Sequence, residues 1–438
     1  MKSSFYNLFI NSEDQNSIVL FNTLYGSMTS FTTQEIDIVR EMLDNPNKYF
    51  DENKIIYETL ISQKFLIEDN FDEMGIIKNR KLKGIADKNR LDVIIMPTQD
   101  CNFNCIYCYE EHKKSKMDNE TLVGLKKWLS IELPKFKVVY FSFFGGEPLL
   151  YYKKLIELLQ FIEDIEVKNK IIIVKHITTN GYLLSKSKIK SLVELGVKDF
   201  QITVDGTANT HNKMRPLKNG KASFEKVHQN IILLAEENNE VKVTIRINFN
   251  HTNFHTIPDL LKSFPEKLRS QLRISLEPVF GDCEYNALDN IGSEELGLFF
   301  SRYLELAEQS GFNSISGKNI VRTGKLVYCY AERENQYIIN YNGDVFKCSV
   351  HNFESLNRKG FIKSDGSFVK DEMKWNEWMN LSLFEEFCLE CKYIPLCMGG
   401  CRKKRLNIGG KMSSCALIPT NANYVLKLIA FNFFKKAF

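Results

Sequence analysis

A chain of 438 residues, 44% hydrophobic, 12% aromatic and 26% charged with a formal net charge of +4, calls for two or three domains with at least one sizeable core and excludes a disordered chain. The charge is too mild to demand nucleic acid or a membrane surface as partner, and no run approaches the roughly 18 apolar residues of a bilayer span. The opening MKSSFYNLFINSEDQ carries no export signal, so eleven cysteines in a cytoplasmic protein point to thiols and thiolate-metal bonds rather than a disulfide framework.

Residues 1–88 open with two strand-like runs, SFYNLFIN and SIVLFNTLYGSMTSF, then helix-like TQEIDIVREML, NKIIYETLISQ and EMGIIKNRKLKGI. This order suits a small winged-helix-like α+β module, and it holds no catalytic signature. From 89 to 315 the apolar runs LDVIIMPT, KVVYFSFFGG, IIIVKHITTNG, KDFQITVDG, VKVTIRINFN and LRISLEPVFG alternate with amphipathic helical stretches. The pattern predicts an α/β fold whose parallel sheet curls into a partial (β/α)6 TIM-like barrel, with the chemistry in the loops after the strands. Residues 316–438 are irregular and rich in cysteine, with too little apolar periodicity to be stable without metal cross-links.

After the first of these strands comes CNFNCIYCYEEH, placing Cys101, Cys105 and Cys108 on one loop with three and then two residues between them. Three thiolates so spaced can hold three irons of a four-iron cluster and leave the fourth iron open to a small molecule. A zinc site lacking its fourth ligand and three unrelated buried thiols are the competing readings. With Tyr107 before the last cysteine, the motif resembles the radical S-adenosylmethionine superfamily over roughly residues 90–280. The resemblance implies a redox-active [4Fe-4S] cluster that cleaves S-adenosylmethionine to a 5'-deoxyadenosyl radical. By the same resemblance Gly145, Gly146, Glu147 and Pro148 meet the methionine moiety, Thr179, Asn180, Thr203 and Asp205 lie on further cofactor-side loops, and Arg215 pairs with the cofactor carboxylate.

Ten of the eleven cysteines fall in two groups, and the second comprises Cys329, Cys348, Cys388, Cys391, Cys397, Cys401 and Cys415. A double zinc site is one reading of the C-x2-C pairs. The pattern resembles the SPASM extension, which carries two auxiliary [4Fe-4S] clusters, making three clusters in all. That resemblance implies that Cys388, Cys391, Cys397 and Cys415 bind the distal cluster and that Cys329, Cys348 and Cys401 bind the nearer one. The nearer cluster is then one thiol short: either its iron stays open to a substrate thiolate, or Cys283 completes it. The run Arg402, Lys403, Lys404 and Arg405 reads first as a solvated basic face.

Enzymes with this extension mostly modify ribosomally made peptides, and the N-terminal module is similar to their leader-binding domains, where a peptide adds as a strand to a sheet edge. The expectation is a maturase that cross-links a ribosomally made precursor peptide through a cysteine thioether, with flavodoxin or ferredoxin as electron donor and neither nucleic acid nor membrane as partner. Carbon-carbon cross-linking and formylglycine formation of the anaerobic sulfatase-maturase kind are the enzymatic rivals, and an iron-sulfur electron carrier is the non-enzymatic one. The sulfatase maturases place an aspartate directly after the cysteine equivalent to Cys348, whereas Ser349 stands there in this chain.

Overall fold

The computed structural model describes residues 1–11, 17–48, 53–237, 239–279, 293–314, 322–350 and 352–408. Cys283 and Cys415 lie outside the described residues. At the N-terminus the strands Asn7–Asn11, Ser17–Asn22 and Met28–Thr32 form an antiparallel sheet in that order. The second apolar run thus splits into two strands where the sequence suggested one. Gly26 turns the chain at φ +76°, and the Asn22 carboxamide accepts from Leu24 N and Tyr25 N, each at 3.0 Å, so the break comes from local polar geometry that periodicity does not register. Helices Ile36–Asp44, Lys54–Ser62 and Glu73–Ile85 follow.

Six parallel strands, Arg90–Ile95, Val138–Phe143, Ile172–Thr179, Val197–Thr203, Lys242–Phe249 and Leu272–Pro278, lie side by side in chain order. Alternation decides their faces. Val139, Phe141 and Phe143 on the second strand and Ile173 and Ile177 on the third join Leu125, Leu129, Leu158 and Ile162 of the intervening helices in one core. The opposite face carries Ser142, His176, Thr178, Gln201, Arg246, Asn248, Ser275 and Glu277, polar groups aligned across neighbouring strands. Ser142 Oγ and His176 Nδ1 are hydrogen-bonded there at 2.8 Å.

The sheet is open and continues past the expected end of the barrel. Gln336–Ile339 pairs in parallel with the first strand, and the antiparallel strands Asp344–Phe346, Gly360–Ile362 and Phe368–Lys370 extend it to eleven strands, the short Asn313–Ser314 lying at the other edge. The region that looked irregular therefore shares the main sheet, because its strands are too short for periodicity to reveal and draw their pairing from an edge supplied elsewhere. Among the described residues no helix is long and apolar enough to cross a membrane.

Candidate active site

The loop leaving the first barrel strand is folded by its own polar side chains. Thr98 Oγ1 donates to Ser115 O (2.6 Å) and accepts from Asp100 N (2.8 Å), while Asp100 Oδ1 accepts from Cys101 N (2.9 Å) and from Lys218 Nζ (2.7 Å). The segment after the fourth strand zips onto this loop: Ile106 N donates to Met214 O, Asn104 N to Pro216 O and Lys218 N to Asn102 O, all within 3.0 Å. Arg215 is thereby fixed beside Cys101, Cys105 and Cys108. The Cys101 sulfur accepts from Phe103 N at 3.4 Å and from Asn180 Nδ2 at 3.7 Å. Burial first, and the Glu147 carboxylate second, push its thiol up to about 12. Such a thiol becomes a thiolate only when a cationic group binds it.

Gly145 and Gly146 serve this loop. A Cβ on Gly145, which has φ +115°, would lie 2.4 Å from Thr98 O, and one on Gly146 would lie 2.3 Å from Asp100 O and 2.4 Å from Gln99 O. The glycines are thus required by close approach to the cysteine loop itself. Glu147 is fully buried and braces two loops: Oε1 accepts from Thr179 Oγ1 (2.7 Å) and Leu149 N (2.9 Å), and Oε2 from Asn180 N (2.7 Å). Burial raises its pKa, and these donors pull the other way. Both oxygens are engaged within the protein, so Glu147 holds the loops that face a ligand. Pro148 is buried at the start of the turn Pro148–Tyr151.

A second network ties the cysteine loop to the fourth and fifth strands. The Tyr107 hydroxyl donates to Asp205 and accepts from Arg215 Nη1 (2.7 Å) and Asn248 Nδ2 (2.9 Å). Asp205 also accepts from Asn248 N at 2.8 Å, and Arg215 Nη1 stands 3.8 Å from its carboxylate. Burial raises the Asp205 pKa, opposed chiefly by Arg215. Arg215 Nε is buried without a hydrogen-bond partner, an unspent donor in a site that expects an anion. Thr203 ends the fourth strand, with Arg246 as its register partner on the fifth. His211 Nδ1 accepts from Asp205 N at 3.2 Å, and burial followed by Arg215 holds this imidazole well below its usual range.

The second cysteine group assembles from separate segments. Cys329 is close enough to Cys348 and Cys401 to interact electrostatically, and burial, the largest cause, pushes its thiol up to about 12. Tyr328 interacts with Cys401, Cys329 and Cys397 and with Glu277 at the end of the sixth barrel strand, so this group adjoins the polar face of the barrel. Cys388, Cys391 and Cys397 follow one another through short helical turns, Cys391 N donating to Cys388 O at 3.1 Å. The basic run after Cys401 is not one solvated face. Arg402 and Arg405 are each 2% exposed, since positions i and i+3 of the helix Arg402–Ile408 turn inward. Arg402 Nη1 donates to Trp378 O (2.7 Å), while its Nε and Nη2 are buried without hydrogen-bond partners.

Among the described residues no three His, Cys, Asp or Glu side chains converge on a single metal ion. Thiols raised by burial, N–H donors on the Cys101 sulfur and unspent guanidinium donors at Arg215 and Arg402 suit an anionic multi-iron group at both places. Spacing exposed the cysteines and GGEP. It did not expose Glu277, or the parts played by Asn102 and Tyr328, which adjoin Cys101 and Cys329 but carry no chemistry that spacing reveals; Asn248 and Arg246 were detectable only as polar residues on an apolar strand.

Residues 95–264 match the radical SAM superfamily family model. The chain is 24% identical over 355 residues to the cysteine-type anaerobic sulfatase-maturating enzyme of Clostridium novyi, a match covering 72% of this chain and 88% of that one. A match to the Fe-coproporphyrin III synthase of Methanosarcina barkeri, 28% identical, spans 39% of this chain and 40% of that enzyme. Among solved structures, anSMEcpe with bound AdoMet superposes with TM-score 0.60 at 23% identity, covering 79% of this chain and 98% of that one. SuiB of Streptococcus suis superposes with TM-score 0.54 at 16% identity, covering 94% and 97%. At these identities the structural likenesses establish the fold.

Proposed function

We propose that this chain, whose residues 95–264 match the radical SAM superfamily model, is a maturase enzyme that cross-links a ribosomally made precursor peptide, joining a cysteine sulfur to a carbon. Cys101, Cys105 and Cys108 hold a [4Fe-4S] cluster with S-adenosylmethionine at its open iron, Cys329, Cys348 and Cys401 hold the nearer auxiliary cluster, and Cys388, Cys391, Cys397 and Cys415 the distal one. The division into residues 1–88, 89–315 and 316–438 belongs to the same reading. The observation that carries it is that Cys329 lies near enough to Cys348 and Cys401, and Tyr328 near enough to Cys329, Cys401 and Glu277 of the sixth barrel strand, to interact electrostatically. A thiol-rich centre with three described cysteines at that place suits a substrate thiolate.

When bound, the groups at these cysteines supply a 5'-deoxyadenosyl radical that removes a substrate hydrogen and an acceptor for the second electron of the oxidation. The protein's own share is positioning and exclusion of water. Arg215 and Asp205, locked by the Tyr107 hydroxyl, present one fixed cation and one fixed anion beside the cysteine loop. Glu147 keeps the second and third strand loops at constant spacing by accepting from both. Arg246 Nε donates to Asn248 Oδ1 at 2.9 Å, and Ser275 Oγ donates to Glu277 Oε1 at 3.0 Å, so the polar face holds its charges in place before a peptide enters. Flavodoxin or ferredoxin fits as the electron donor.

Sulfatase-type formylglycine formation is favoured by the relatives named above. Against it stands Ser349, whose hydroxyl is engaged with Tyr330 Oη at 2.6 Å where those enzymes have a carboxylate. The deciding experiment is anaerobic reconstitution, reduction with dithionite and assay of 5'-deoxyadenosine after adding S-adenosylmethionine, beside a Cys101→Ala, Cys105→Ala, Cys108→Ala variant. Release that depends on the three thiols is expected. With a precursor peptide present, the product should lose one alkylatable thiol and two hydrogens. Formylglycine, or a cross-link that leaves every thiol alkylatable, would overturn the thioether reading.

A further inference from the structure

One face of the helix Glu73–Ile85 carries Glu73, Ile77, Lys81 and Ile85, all buried and spaced four residues apart. Ile77 and Ile85 suit a packed apolar stripe, and Glu73 in the first turn accepts from Ser4 Oγ and Phe5 N. Lys81 is the exception within the helix: it is 0% exposed, and an ammonium in that setting destabilises the fold unless its partners are well placed. Burial lowers its pKa, opposed chiefly by Glu332.

Its partners are two loops of the second cysteine group. Lys81 Nζ stands 2.9 Å from Glu332 Oε2 and donates to Met398 O at 2.6 Å, and the Phe384 ring packs against it at 4.9 Å. The other Glu332 oxygen accepts from Tyr328 N (2.9 Å) and Cys329 N (3.3 Å), so the ion pair reaches the backbone of the first auxiliary cysteine. Met398 follows Cys397 and begins three left-handed residues, φ +51°, +87° and +74° at 398 to 400, that deliver the chain to Cys401. A Cβ on Gly399 would stand 2.9 Å from Phe384 Cδ1 and 3.1 Å from both Leu383 O and the ammonium, so the turn packs closely against all three. Tyr6, Leu24 and Ile77 pack with Cys388, Ile394 and Met398 alongside, and Thr23 Oγ1 donates to Lys392 O at 2.5 Å.

We propose that Lys81 is a positioning residue for the auxiliary iron-sulfur site, a single ammonium from the N-terminal module that holds the Cys329 loop and the Cys397–Cys401 turn in fixed relation. The inference rests on the reading that these cysteines hold iron. It gives the N-terminal module a part in building the centre, apart from any peptide it binds. Ordering two loops that enter from residues about seventy apart in the chain costs conformational entropy, and a contact that engages both at once limits that cost.

The test compares anaerobically reconstituted wild type, Lys81→Met, and Lys81→Met with Glu332→Gln. Iron and acid-labile sulfide are counted, and the first site is followed by the change in its EPR spectrum on adding S-adenosylmethionine. Wild type without auxiliary iron would sink the reading of the cysteines, separately from the lysine. Given auxiliary iron in the wild type, both variants should lose about four irons per chain while the first-site EPR change persists. The double variant matters because it leaves no unpaired buried carboxylate, and its new carboxamide oxygen can still accept from Tyr328 N. Full iron in Lys81→Met overturns the proposal, and so does recovery in the double variant, which would make the lysine only a counter-charge. Loss of the first-site signal in the double variant also overturns it, since Lys81 would then serve the whole fold.

Discussion

The two cysteine regions are held in different ways. The first loop, Cys101 to Cys108, is fixed by neighbours on the barrel itself: backbone against backbone at Gly145 and Gly146, and its own polar groups at Thr98, Asp100 and Tyr107, the last two also met by Lys218 and Arg215 from the segment after the fourth strand. The second set has long cationic side chains as ties: Lys81 from the N-terminal module, which donates to Met398 O, and Arg402 beside Cys401, which donates to Trp378 O. Where backbone approaches backbone nothing can yield, so the sequence there is confined to glycine and fixed spacing. Where a long side chain bridges, many sequences could serve, and no motif results.

The largest effect that would break this comparison lies in the first region. Gly146→Ala puts a methyl 2.3 Å from Asp100 O and 2.4 Å from Gln99 O, both backbone atoms that can move only with the cysteine loop. We expect about 3 kcal/mol or more of destabilisation in denaturant titrations of the apoprotein, and loss of 5'-deoxyadenosine formation. A fully active Gly146→Ala enzyme would show that the loop tolerates displacement.

Next in size is Glu147→Gln. A carboxamide offers one acceptor oxygen where Thr179 Oγ1, Leu149 N and Asn180 N now share two, and its NH2 must face a donor. The expected cost is about 2–3 kcal/mol, read as a lower denaturant midpoint, with weaker binding of S-adenosylmethionine following from a looser Asn180 loop. Stability near wild type would mean the carboxylate is protonated in the folded state, consistent with the upward push of burial. The pH dependence tests this: with the folded pKa raised by burial, the folded state holds the proton longer than the unfolded chain, so stability falls as pH rises from the ordinary carboxylate range through the folded pKa, a slope that Glu147→Gln should remove.

A smaller effect is expected from pH at His211. Its folded pKa lies well below the ordinary imidazole value, so between roughly pH 5 and 6.5 the unfolded chain binds a proton that the folded one refuses, and stability falls as pH falls. Urea titrations across that window should give a positive slope of stability with pH, shallower in His211→Asn, whose Oδ1 can still accept from Asp205 N. His112, His176 and His228 are also held low by burial, so the slope should shrink without vanishing. An unchanged slope would locate the linkage in those three residues.

Legibility follows the same division. The barrel strands could be read because each alternates over six to eight residues, and the cysteine spacings because a cluster dictates them. The sheet beyond the first strand could not, since three-residue strands such as Asp344–Phe346 and Gly360–Ile362 take their conformation from the edge they join. Glu147 was visible as a motif while its role was not: GGEP suggests contact with a ligand, and only the positions of Thr179, Asn180 and Leu149 reveal a brace. Lys81 carried one faint signal, a lysine in register with Ile77 and Ile85 on a helix.

The basic run after Cys401 gives the smallest effect and the sharpest contrast within four residues. Arg402 and Arg405 are buried, and Arg405 Nε donates to Glu385 at 2.8 Å, whereas Lys404 is exposed. Lys404→Gln removes a charge from water and should leave the denaturant midpoint within about 0.5 kcal/mol of wild type. Arg402→Gln cannot reach Trp378 O and Met379 O as the guanidinium does at 2.7 and 3.2 Å, so about 1–3 kcal/mol should be lost. Iron content sharpens the difference further: Arg402 has two guanidinium nitrogens, Nε and Nη2, without hydrogen-bond partners one residue from Cys401, and a cation there offsets the charge of a thiolate-bound cluster. Lys404→Gln should therefore reconstitute with wild-type iron and Arg402→Gln with less. Equal loss from both would mean that the run acts through its net charge, the solvated basic face that the sequence alone suggested.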